Sequence, residues 1–126
     1  MSSILSVSKL GRIALLAVSA LLAQPVFAHA HLKAQDPTAG TTVDVAPKMI
    51  ELKFTEDVEP AFSGIVLTGA KNASIQLGAP KVDSKDPAHL IIPVKGTMPA
   101  GSYQVNWHAV SVDGHKSKGD YTFNVK

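Results

Sequence analysis

The chain contains no cysteine. That excludes a disulfide-stapled fold and every metal site built on thiolate, the zinc and copper(I) sites of that kind included. Aromatic residues make up only 6% of the chain and arginine occurs once, as Arg12. The basic stripe with interleaved aromatics that marks a nucleic-acid surface is therefore missing. Glycines such as Gly64, Gly69 and Gly78 are scattered rather than gathered into a phosphate cradle, and they read as turn or close-approach positions. Long apolar runs are also missing. The longest, Ile13 to Ala23, is too short for a membrane span, which needs about 20 apolar residues.

That run has another reading. Lys9 and Arg12 provide a positive flank, Ile13 to Ala23 an apolar core, and Val26-Phe27-Ala28 small residues before a cut, the three parts of a secretory signal peptide. Residues 1–28 are thus expected to be a cleaved leader, leaving 29–126 as one small domain, exported and not membrane-spanning. Ten Lys then balance ten Asp and Glu, so the basic balance of the whole chain belongs to the leader.

The residues after the cut are His29-Ala30-His31. Cleavage before His29 makes histidine the new amino terminus, where a free α-amine and an imidazole can chelate one ion together. That suits Cu(II), which takes nitrogen ligands in a tetragonal arrangement. Ala28-His29-Ala30 is a second small-x-small pattern, and cleavage after it would make His31 terminal instead.

Within residues 29–126, short apolar runs separated by turn residues predict an all-β sandwich, and no stretch reads as an amphipathic helix. Met49 to Phe54 alternates so that Ile50, Leu52 and Phe54 share one face. Ser63 to Thr68 and His89 to Val94 are further strands, with Pro93 placing the latter near an edge or a strand end, and a loop is expected around Lys81 to Pro87. Tyr103, Val105, Trp107 and Ala109 share an inner face opposite Gln104, Asn106 and His108. The partner strand, Asp120 to Val125, turns Tyr121, Phe123 and Val125 inward. Ser111 to Gly119 joins the two, its glycines allowing the turn.

Asp113 and His115 lie in that connection, two residues apart, and converge if the backbone there is extended. With the amine and ring of His29 they make three nitrogens and one carboxylate. Such a set fits Cu(II) and not Ca²⁺ or Mg²⁺, which take mostly oxygen. Alone, an Asp-x-His in a turn is ordinarily a solvated or capping pair; it gains weight from the processed histidine. His31 shares His29's side by alternation and is either a further ligand, a nearby proton acceptor or solvated. His108 reads as exposed, His89 has no assigned role, and Glu56-Asp57-Val58-Glu59 reads as a solvated charged turn, lacking a calcium loop's spacing. Because an α-amine ordinarily titrates near 7.7–8.0 and an imidazole near 6.5, metal affinity is expected to fall as pH drops through that range.

These residues carry a resemblance to the CopC family of periplasmic copper-binding proteins, including its YobA-like members. It runs through His29-Ala30-His31-Leu32, Asp36-Pro37, Ala46-Pro47, Ile50 to Glu56, Phe62-Ser63-Gly64, Pro99 to Tyr103, Val105 to His115 and Gly119 to Phe123. The resemblance implies an immunoglobulin-like Greek-key sandwich or barrel of about seven strands. It also implies one Cu(II) per chain held by His29, Asp113 and His115, and copper delivery to a CopD-type inner-membrane transporter. Members often add a Cu(I) site of clustered methionines. Here only Met49 and Met98 follow the leader, and Lys71 to Pro87 has none, which points to a Cu(II)-only, non-enzymatic carrier or buffer serving copper resistance or homeostasis. Two other classes fit the sequence less well: a histidine-brace oxidative enzyme, disfavoured by the small domain and the lack of clustered exposed aromatics, and an adhesion-type module with incidental histidines.

Overall fold

The computed structural model describes residues 30–126, which form two four-stranded sheets packed face to face. In chain order the strands are β1 (Leu32–Asp36), β2 (Thr42–Val43), β3 (Met49–Phe54), β4 (Gly64–Thr68), β5 (Lys81–Asp83), β6 (Asp86–Pro93), β7 (Gly101–Val110) and β8 (Lys116–Val125). One sheet runs β1-β3-β6-β5 and the other β2-β8-β7-β4. All pairings are antiparallel except the short β2 beside β8. The only helical segments among the described residues are single 3-10 turns, Pro60–Phe62 and Ala70–Asn72.

Alternation builds the core as expected. Ile50, Leu52 and Phe54 of β3 and Leu90 and Ile92 of β6 meet Leu67 of β4, Val105 and Trp107 of β7 and Phe123 of β8, all buried. Each large apolar side chain fully removed from water contributes about 1.5–3 kcal/mol. Phe54 and Trp107 meet edge to face across the sheets, with ring centroids 5.4 Å apart. Tyr103 and Phe123, paired in register, stack at 5.7 Å.

Two local expectations are corrected, and one is resolved to one of its two alternatives. Lys81 to Pro87 is not a loop: β5 and β6 form a tight hairpin, whose turn is made by side chains rather than glycine. The Asp83 carboxylate accepts from the Lys85 N–H (2.8 Å) and that of Asp86 from the Ala88 N–H (3.1 Å). Pro93 marks a strand end and not an edge, since β6 lies between β3 and β5. Gly119 is a strand residue, not a turn residue. It stands opposite Trp107, where a Cβ would lie 2.7 Å from the indole, so glycine there makes room for the ring.

Candidate metal centre

The β7–β8 hairpin carries ten paired residues per strand, ending at Val110 opposite Lys116. Only Ser111 to His115 remain to close it, fewer than the nine-residue connection read from the sequence. The backbone turns here instead of staying extended. Gly114 takes φ +91°, a conformation that costs other residues strain, and its N–H donates to the Ser111 carbonyl (2.8 Å). The Ser111 N–H in turn donates to the His115 carbonyl (2.9 Å).

Asp113 and His115 converge all the same, by this turn and not by strand alternation. Asp113 Oδ2 lies 3.1 Å from His115 Nδ1. The other oxygen, Oδ1, is occupied: the hydroxyl of fully buried Ser111 donates to it, as does the His115 N–H at 3.3 Å. The Ser111 hydroxyl is the largest influence lowering the Asp113 pKa to about 2, followed by the hydrogen bond from the His115 side chain. An ionised carboxylate, one oxygen held by Ser111 and the other by the imidazole, thus faces His115. Two donors bound roughly 2.0–2.2 Å from one ion at right angles stand roughly 3 Å apart, so the pair is spaced as adjacent ligands.

His29 lies outside the described residues, yet the residue it is bonded to is firmly held. Ala30 is buried at 1% exposure, and its carbonyl accepts a 2.7 Å hydrogen bond from the hydroxyl of Ser117, two positions beyond His115 on β8. His31 continues the chain alongside Thr55, its N–H donating to Thr55 Oγ1 (3.0 Å) and its carbonyl accepting from the Thr55 N–H (2.9 Å). The acidic turn that follows is less solvated than its composition suggests. Val58 is buried and bridged to Ser111, and Asp57 accepts through its carbonyl from the Val112 N–H. This turn therefore seats His31 near the 111–115 turn. Nothing in its charge pattern signals that; the buried Val58 among acids was the available clue.

Among the described residues no group of three or more His, Asp or Glu side chains is placed to hold a metal ion, so Asp113 and His115 stand as a pair. His108 is exposed on the outer face of its sheet, as expected. There it lines an open cleft of about 630 Å³ with Phe62, Val110, Lys116 and Lys118. His89 is occupied elsewhere, 3.0 Å from Glu51 and 3.8 Å from Asp83. Met98 is buried and Met49 exposed on β3, so they form no thioether cluster.

The CopC domain family model matches residues 32–126. The chain belongs to the CopC family. Protein YobA of Escherichia coli strain K12 is 47% identical over 108 residues, covering 86% of this chain and 87% of YobA. Among solved structures, CopC from Methylosinus trichosporium OB3b superposes with a TM-score of 0.71 at 31% identity, covering 78% of this chain and 94% of that one. PcoC, a methionine-rich copper resistance protein from Escherichia coli, gives 0.68 at 38% identity, covering 79% and 100%. The CopC domain described here is, by contrast, poor in methionine, with three in the whole chain. Its all-β sandwich and copper-binding function are those of the family. No helix of the described residues is long and apolar enough to cross a membrane.

Proposed function

We propose that the processed protein is a periplasmic Cu(II) carrier or buffer, one ion per chain, bound by the amine and ring of His29, the carboxylate of Asp113 and the ring of His115. The observation that carries this reading is the Ser117 hydrogen bond to Ala30. It tethers the residue following His29 within two strand positions of His115, about 7 Å of chain. A terminal amine and ring can then reach an ion already faced by an imidazole and a carboxylate. The donor set is nitrogen-rich and lacks sulfur, which favours Cu(II) over Cu(I). Copper is cargo in this reading, and delivery to a CopD-type inner-membrane transporter is the partner relation that the family membership suggests.

The deciding experiment is competition titration of Cu(II) against protein beginning at His29 and against the same chain with one added glycine in front. A loss of orders of magnitude on adding the glycine supports the terminal amine as a ligand; equal binding overturns it. In the same assay His115→Phe removes a nitrogen donor and should weaken Cu(II) at least 100-fold, and Asp113→Asn about tenfold. Equal, small losses for both would remove the turn from the site.

A further inference from the structure

The inner face of β8 reads, from its far end, Val125, Phe123, Tyr121, Gly119 and Ser117. The first three are buried apolar or aromatic side chains, and Gly119 yields its space to Trp107. Ser117 closes the series with a hydroxyl where the alternation calls for an apolar group. That hydroxyl donates at 2.7 Å to the carbonyl of Ala30, a residue one peptide bond from the proposed terminal ligand and 1% exposed. Chain ends ordinarily fray unless tied down. Here the tie is a side chain near the start of β8, two residues past His115, and it adds a direct link between the two pieces of the proposed copper site to the indirect one through Thr55 and Val58.

We propose that Ser117 is a positioning residue for copper: it touches no ligand atom but holds Ala30 so that the α-amine and ring of His29 converge with His115. This rests on the terminal-histidine reading above. A tethered terminus presents its two nitrogens at high effective concentration to an ion bound at the 111–115 turn, whereas a loose one must be ordered at the moment of binding. The hydroxyl therefore acts on affinity through the terminus and through nothing else. That separates it from a residue that merely stabilises the sandwich.

The test is a double-mutant cycle on Cu(II) affinity using the processed protein, Ser117→Ala, the glycine-extended protein, and the two changes together. Ser117→Ala should weaken Cu(II) about tenfold in the processed protein and less than twofold in the extended one, where the amine is already displaced. Ser117→Thr, which keeps the hydroxyl on a β-branched side chain suited to a strand, should stay within about threefold of the parent. The copper EPR spectrum of Ser117→Ala should show a changed nitrogen ligand field, while that of Ser117→Thr should not. Far-UV circular dichroism and thermal unfolding of the metal-free proteins establish that each variant folds. Equal weakening in both backgrounds would make Ser117 merely structural, and no weakening in the processed protein would remove it altogether; either result overturns the proposal. If the processed and extended parents bind alike, the terminal-histidine reading itself has failed, an outcome visible before any Ser117 variant is compared.

Discussion

At the scale of single residues, the candidate centre is governed by small side chains around Asp113 and His115, the two proposed ligands of the turn. Ser111 engages one oxygen of Asp113 and leaves the other against His115, so a carboxylate that could rotate freely at the surface is held in one orientation. Gly114 makes the turn possible through its positive φ. Gly114→Ala should cost roughly 1–2 kcal/mol and, because the strain falls between the two proposed ligands, reduce Cu(II) affinity several-fold. Thermal unfolding of the metal-free protein and competition titration measure the two effects separately. Asp113 and His115 were legible in the sequence as a pair, but their route to one another was not. An extended x between them and a glycine-closed turn both bring the side chains together, and only the hydrogen bonds of Ser111 decide which occurs. Ser117 was legible in principle: carrying the inward alternation of Tyr121, Phe123 and Val125 back past Gly119 arrives at a hydroxyl that needs a partner.

At the scale of elements, β7 and β8 show why the alternating strands were easy to read and the hairpin at β5 and β6 was not. Tyr103, Val105, Trp107 and Ala109 all face inward, and the period of two survives any uncertainty in where the strand stops. The turn from Asp83 to Asp86 lacks glycine, and the Asp83 carboxylate bonds across it to the Lys85 N–H, an arrangement that composition alone does not separate from a charged loop. Gly119 was visible as a glycine, but its purpose depends on the partner strand's register. Since the indole of Trp107 fills the place of its missing side chain, Gly119→Ala should destabilise by about 1–3 kcal/mol as an overpacked site. Chemical denaturation would show this as a lower midpoint with an unchanged slope. An unchanged midpoint would mean that the ring can shift freely.

At the scale of the whole molecule, the core among the described residues includes a polar misfit. The Tyr121 hydroxyl is buried without a hydrogen-bond partner, and burial, then the charge of Asp36, raises its pKa above the ordinary phenol range. In the unfolded chain a tyrosine ionises near 10, while the folded phenol stays neutral at that pH. Stability linked to this group is therefore intact below about pH 10 and lost as pH rises above it toward the higher folded value. Tyr121→Phe should be stabilising by about 1 kcal/mol at pH 7, since it removes an unsatisfied hydroxyl. It should also flatten the fall in stability between about pH 9 and 11. Urea unfolding across that range reads both effects, and a parallel fall in parent and variant would count against them.

The direction of β8 has a practical corollary. The strand begins beside the 111–115 turn and ends at Val125, opposite Gly101, with the Lys126 N–H bonded to Val43 at the other end of the sandwich. Ten strand residues span about 33 Å. A fluorescent reporter, a surface anchor or a second domain joined after Lys126 would hang from the end remote from Asp113 and His115. The same cargo joined ahead of His29 would, on the proposed processing, consume the amine, and it would crowd the corner where the Ala30 carbonyl is held by Ser117. On the terminal-histidine proposal, a fusion that keeps that histidine working must leave it first in the processed polypeptide.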